Sequence, residues 1–273
     1  MVTVMASASF RVLAAHSRIG FIAMENATTI AVSRLMAQTR GMDVTANNLA
    51  NIGTPGFRSE RVMFSDWLVK QSGLADSDSV PKGSRTLAYT QDRATYRSRE
   101  PGPVAHTANP LDFAIAGDGF FTVLAPGGPR LTRSGHFERG PDGTILDASG
   151  FPLLDTTGKK LQLATADTTI TLASNGMLSS QNGQIGQIGL VVPDDPHRMR
   201  AEGGRLLASD SATKPVAAPQ ITQGALEESN VQPTLEITRM MNDMREFQFT
   251  SQFVQAEADR QQSAIDKITQ RRS

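Results

Sequence analysis

The chain has 273 residues, 27 Lys plus Arg against 27 Asp plus Glu, and no cysteine. The length allows one large domain or two modest ones, each with a proper core. The missing thiols exclude a disulfide scaffold, a thiolate metal site and a cysteine nucleophile, and zero net charge argues against a phosphate-neutralising surface while removing long-range self-repulsion.

Taken in chain order, residues 1–23 hold apolar runs broken by Arg11, His16 and Arg18. No basic start precedes a clean apolar stretch, so a cleaved signal peptide is not expected, and no fold is assigned to the segment. Residues 27–52 read as a helix. Val32, Leu35, Thr39, Met42, Ala46 and Leu49 follow alternating three- and four-residue steps, and all but Thr39 are apolar. Gly41 weakens that helix by roughly 1 kcal/mol relative to alanine. Pro55-Gly56 cannot continue it and suits a turn. Residues 57–71 are mixed, and 72–86 are polar and turn-rich, which predicts a loop or boundary.

From 87 to 208 apolar runs shorten and turn signals multiply. Asp118-Gly119, Pro141-Asp142-Gly143, Asn175-Gly176 and Asn182-Gly183 each separate β-prone runs, the pattern of hairpins in a compact antiparallel β domain. Residues 209–233 read as a connector. From Thr234 to the end there is neither Gly nor Pro. Ile237, Met240, Met244, Phe247, Ser251, Val254, Ala258, Gln261, Ile265 and Ile268 keep strict three-four spacing, a coiled-coil seam. Acidic and basic residues balance along this helix, so a nucleic-acid helix is not expected. A helix of about 35 residues is about 52 Å long. A small β domain cannot cover that length, so part of the seam calls for intermolecular contact. The predicted class is α+β: a discontinuous helical, coiled-coil domain built from both termini, with 24–86 leading in and 234–273 pairing back, around a central antiparallel β-rich domain. No stretch approaches about 18 uninterrupted apolar residues, so no membrane span is predicted.

Several motifs have bland readings. GDGF at 117–120 lacks the helix and the full glycine fingerprint of a phosphate loop and reads as a β-turn. His16, His106, His136 and His197 show no ligand spacing, so no metal or cofactor is predicted. Asp194-Asp195 lies between prolines and reads as a turn. Met36, Met42, Met240, Met241 and Met244 cluster in the helical termini, where methionine suits irregular interfaces. The most distinctive run is ANNLANIGTPGF, 46–57. Three asparagines in five residues exceed what a polar cap needs. With Ala46 and Leu49 on the seam, Asn47, Asn48 and Asn51 are expected to face sideways or outward, to backbone at the helix end or to a neighbouring subunit.

This run resembles the N-terminal signature of the bacterial flagellar rod, hook and hook-associated axial family, through ANNLAN and the turn Thr54, Pro55, Gly56, Phe57. The segment from Met24 to Asn51 is similar to the start of a rod protein. The resemblance continues through NPLDFAIAGDGFFTV (109–123), LTRSGHFERGPDGTILDASGFPLL (131–154), GQIGLVVPDDPHRMRAEGGRLL (186–207) and QGALEESNVQPTLEITRMMNDMREFQ (223–248). Thr95-Tyr96, REPGPV and QGALEESNV look most like the proximal part of the rod, with the distal part next. The departures are residues 1–23, which imply an extension or a start at Met24, and His136, where the family more often has asparagine.

The resemblance implies a non-catalytic axial subunit that needs no cofactor. Its partners would be copies of itself, other rod proteins and the flagellar type III export apparatus. It would lie in the periplasmic rod, exported without a cleaved signal peptide. The residues expected to carry assembly are Leu35, Met42, Asn47, Asn48, Leu49, Asn51, Ile237, Met240, Met244, Phe247, Val254, Ile265 and Ile268. The alternative is a β-domain carbohydrate-binding or hydrolytic protein with a coiled-coil tail. It would need an aromatic platform or converging acids, and the central region offers few aromatics: Phe113, Phe120, Phe121, Phe137 and Phe151.

Overall fold

In the computed structural model, residues 5–70, 86–203 and 205–270 are described. The loop expected at 72–86 lies outside them apart from Thr86. The chain is α+β, with one long helix near each end and antiparallel strands between. It divides into two units: residues up to 46, 61–96 and from 237 on form the first, and 47–60 with 97–236 form the second.

The first unit is built mainly from two helices. Helix α1 spans Met5–Ala50. It therefore takes in most of the segment set aside as an extension, because nothing between Met5 and Glu25 breaks a helix except Gly20. Helix α2 spans Pro233–Gln270, with proline at its first position, where the missing N–H costs no bond. The helices meet in antiparallel fashion. Arg34 Nη2 and Gln38 Nε2 donate to Glu246 Oε2 at 3.4 and 3.3 Å, and Gly41 faces Asp243. Two strands, β1 (Glu60–Lys70) and β2 (Thr86–Arg97), pair with each other. Residues 60–70 and the start of the expected β domain thus form a separate ribbon.

The line of α2 that is sheltered within the chain differs from the predicted seam. Met240, Asp243, Phe247, Thr250, Val254, Glu257 and Gln261 are half-buried or buried, again in three-four steps. Met240, Phe247, Val254 and Gln261 belong to both lines, whereas Ile237, Met244, Ser251, Ala258, Ile265 and Ile268 are exposed. On α1, Ala31, Ala37, Val44 and Thr45 are buried, Leu35 and Met42 are half-buried, and Val32, Thr39 and Ala46 are exposed. The sheltered lines mix apolar side chains (Leu35, Met42, Met240, Phe247, Val254) with small and polar ones (Ala31, Ala37, Asp243, Thr250), and much of the apolar surface of α2 stays outside.

The second unit is β-rich. Its main sheet has six antiparallel strands in the order Met199–Ala201, Leu206–Ser209, Gly128–Thr132, Phe120–Ala125, Leu190–Pro193 and Thr213–Pro215. A three-stranded sheet joins Gly183–Gln187, Met177–Ser180 and Ile170–Leu172. Phe113, Phe121 and Phe137 centre one core with Ile145, Leu153, Leu178 and Ile188. The Phe121 and Phe137 rings meet edge to face at 5.4 Å, a favourable quadrupole arrangement.

Three predicted hairpins form, at 141–143, 175–176 and 182–183. The one at Asp118-Gly119 does not: Phe113–Ile115 pairs with Ile221–Gln223, and Phe120–Ala125 pairs with Gly128–Thr132 and Leu190–Pro193. The connector expected at 209–233 carries three strands, Thr213–Pro215, Ile221–Gln223 and Ala225–Glu227. Each is only three residues long and pairs with a distant segment, so no local periodicity announces it.

Candidate assembly site

The ANNLANIGTPGF motif is placed by contacts inside the second unit. Asn48 is fully buried. Its Oδ1 accepts from the Glu60 backbone N–H at 2.8 Å, and its Nδ2 donates to Glu60 O at 2.9 Å and Glu236 Oε2 at 3.3 Å. The amide therefore mimics a strand edge for the first residue of β1 while holding a buried carboxylate in the first turn of α2. This corrects the expectation that all three asparagines face sideways or outward. An amide satisfied by three partners can be buried, and here that outweighs its poor helix propensity. Asn47 is exposed. Asn51 Nδ2 donates to Asn47 O, and Asn51 Oδ1 accepts from Thr54 Oγ1, which closes the helix end. Leu49 is half-buried.

The turn that follows is docked by its glycine. Gly56 N–H donates to Glu227 O at 2.7 Å with φ at 71°. A Cβ there would sit 2.4 Å from the Arg133 carbonyl carbon, so only glycine fits. Phe57 is buried, and Thr54 and Pro55 are half-buried. The Ser59 N–H donates to Asn230 Oδ1 at 2.8 Å, and Asn230 Nδ2 donates to Glu100 O.

Beside this turn lies a cluster that sequence reasoning missed. Glu227 is buried between two guanidinium groups. Arg58 Nη2 donates to its Oε1 at 3.2 Å, and Arg133 Nε donates to its Oε2. Arg133 Nη2 also donates to Ile115 O at 3.1 Å and Gly117 O at 2.7 Å, while Nη1 donates to Gly119 O. GDGF is therefore a cradle of carbonyls around a buried cation, with Gly117 and Gly119 at positive φ turning their peptides inward. Burial pulls the Arg133 guanidinium below its usual range, and the charge and hydrogen bond of Glu227 work the other way. No sequence signal announced it: Ala225 and Glu227 share the buried face of a strand only three residues long.

In the first unit, Met240, Phe247 and Val254 are half-buried, whereas Ile237, Met244, Ile265 and Ile268 are exposed. Met36, Met241, Phe249 and Phe253 are exposed as well. An open groove of about 580 Å³ lies between the helices, lined by Ile30, Ala31, Arg34, Glu246, Phe249 and Phe253. The arrangement is one of apolar helix faces.

The central aromatics are spent on packing: Phe113, Phe121 and Phe137 are wholly buried, and Phe120 and Phe151 are half-buried. Hydroxyl, amide and backbone donors hold Asp142 and Asp167 below the usual carboxylate range, and at Asp155 burial pushes upward but such donors outweigh it. This is opposite to the raised carboxyl a hydrolytic acid requires. His136 Nδ1 lies 2.8 Å from Asp112 Oδ1, a buried carboxylate that also accepts from Thr107 and Asn109. Among the described residues no group of His, Asp and Glu could hold a metal ion, and no helix is long and apolar enough to cross a membrane.

Long helices from both ends of the chain, a central β-rich unit, and a buried Asn–turn–Glu motif define a discontinuous α+β protein whose accessible feature is an apolar helix surface. Residues 29–58 match the family described as flagella basal body rod protein. Residues 114–197 match the flagellar hook protein FlgE/F/G D1 domain, and 222–267 match the flagellar basal body rod FlgEFG protein C-terminal. The chain is 34% identical over 247 residues to the flagellar basal-body rod protein FlgF of Caulobacter vibrioides, covering 90% of this chain and 98% of that protein. It is 32% identical over 248 residues to FlgF of Mesorhizobium japonicum, covering 90% and 98%. To the flagellar basal-body rod protein FlgG of Agrobacterium fabrum it is 27% identical over 262 residues, covering 88% and 98%. The chain belongs to the flagellar basal-body rod protein family.

Proposed function

We propose that this protein is a structural subunit of the bacterial flagellar basal-body rod. The observation that carries the reading is the set of exposed apolar side chains on α2, Ile237, Met241, Met244, Phe249 and Phe253, in a chain that aligns with nearly the whole length of the FlgF relatives. The subunit acts by packing. Its terminal helices polymerise with copies of itself and with other rod proteins, and the array transmits torque. Many modest repeated contacts give stiffness without an exceptional single affinity. The higher identity to FlgF than to FlgG supports a place in the proximal rod. Its route is the flagellar type III export apparatus, without a cleaved signal peptide, and its site is the periplasmic rod. The assembly residues are those named from the sequence, less Asn48, whose burial within its own chain leaves it an internal role.

Deletion of the gene should abolish motility, and the tagged protein should co-purify with basal bodies at the membrane-proximal end of the rod. Motile deletion cells with complete rods would overturn the proposal.

A further inference from the structure

The GDGF loop of the β-rich unit is anchored at both ends by contacts that do not involve Arg133. Phe113–Ile115 pairs with Ile221–Gln223, the Ala116 N–H donates to Gln220 O at 2.9 Å, and Phe120–Ala125 pairs with Leu190–Pro193. Gly117 and Gly119 take φ of 101° and 135°, where a side chain would be strained. Strands and glycines thus aim the carbonyls of Ile115, Gly117 and Gly119 at one point. There the Arg133 guanidinium makes four hydrogen bonds, to those three carbonyls and to Glu227 Oε2. The two side chains are 3% and 2% exposed.

Glu227 is also where three other passages of the same unit meet. Its backbone O accepts the Gly56 N–H at 2.7 Å, and its Oε1 accepts Arg58 Nη2 at 3.2 Å and the Gly102 N–H at 3.3 Å. Arg58 Nη1 donates to Arg99 O at 3.1 Å, and the Glu228 N–H donates to Pro103 O at 2.8 Å. Residues 56–58 follow α1, 99–103 follow β2, and 227–228 precede α2. Of the two guanidinium partners of Glu227, Arg133 is the more deeply buried. Without it the carboxylate is left under-compensated in an interior that disfavours charge.

We infer that the GDGF loop is a guanidinium receptor, filled in the native chain by Arg133, and that its filling latches residues 56–58, 99–103 and 227–228 together. The chemistry selects a planar cation. Three carbonyls and a carboxylate around one point accept from a fork of N–H groups, whereas a lysine ammonium is a compact charge with three donors and no plane. Because the loop is shaped by its strands and glycines, truncating Arg133 leaves the acceptors in place for a free guanidinium ion.

Arg133→Ala should speed amide hydrogen exchange at Gly56, Gly102 and Glu228 together, by at least about tenfold more than at Ile145, Leu153 and Ile188 of the core. Millimolar guanidinium chloride, far below the molar range in which it denatures, should reverse that gain in the variant and leave the native chain unchanged. Equal sodium chloride or urea should do neither, and Arg133→Lys should exchange as fast as Arg133→Ala. Guanidinium without effect on Arg133→Ala, equal rescue by sodium chloride, or a lysine variant as protected as the native chain would overturn the receptor. A second measurement, on the native chain, guards against a variant that fails to fold. At low urea the Gly56, Gly102 and Glu228 amides should open with one common free energy, below that of the core amides. Three unrelated values, or one value shared with the core, would overturn the latch.

Discussion

Glu227 holds two cations with one carboxylate. Arg58 and Arg133 both converge on it, and its own Oε1 also accepts the Gly102 N–H at 3.3 Å. A buried pair of this kind adds little net stability over an apolar replacement, but removing one partner strands charge in a low-dielectric interior. Glu227→Ala should therefore destabilise the β-rich unit by about 3–5 kcal/mol, measured by urea denaturation followed by circular dichroism. A loss below about 1 kcal/mol would mean the guanidinium groups find water or other acceptors without structural cost. At this scale the sequence was only partly legible. The run ANNLAN was conspicuous, and so was the turn Thr54-Pro55-Gly56. Whether Asn48 faced in or out depended on Glu60 and Glu236, residues 12 and 188 positions away. Arg133 and Glu227 gave no local sign of each other.

Helices and turns were the most legible elements, because their signals are local. The glycine-free, proline-free stretch after Pro233 and the three-four spacing announced α2. Three of the four turn signals produced the hairpins they predict. The short strands at 213–227 were not legible, since three residues cannot show a period. The choice between two interleaved three-four lines on α2 was also beyond the sequence, because both satisfy the same spacing. This choice has a testable consequence. Phe247 is half-buried against the helix pair, whereas Phe249 is the most exposed large apolar side chain of α2. Phe247→Asp should disrupt the helix pair and block rod assembly while the β-rich unit keeps its cooperative unfolding. Phe249→Asp should preserve the far-ultraviolet dichroism and still impair motility. Normal swimming in the Phe247→Asp strain would sink the assembly role of this line.

Across the whole molecule, acid sensitivity follows from the direction of the carboxylate shifts. Hydroxyl and amide donors from Ser180 and Asn182 hold Asp167 low, and the Thr144 hydroxyl holds Asp142 low. At Asp155 burial pushes upward, but backbone and hydroxyl donors from Lys159 and Thr157 outweigh it. Each group titrates lower in the folded chain than its unfolded value of about 3.9. The stability they contribute is thus present above about pH 4 and is lost as pH falls through the folded values. The melting temperature should fall below about pH 4. Asp167→Asn should lower stability at neutral pH and flatten that acid limb. An unchanged acid limb would show that these bonds do not couple to folding.

By itself, the sequence determined the α+β class, the helical termini, most of the tight turns and the family resemblance. These depend on spacing, on glycine and proline geometry, and on motifs that stay contiguous in the chain. Only the tertiary structure decided which stripe of α2 is sheltered in its own chain and which is exposed. It alone turned Asn48 inward, made a cation cradle of GDGF, and brought the supposed connector into the sheets. Each of those outcomes is a choice of partner among residues far apart in sequence. Local periodicity fixes where a side chain points on its own element, but not what waits there to meet it.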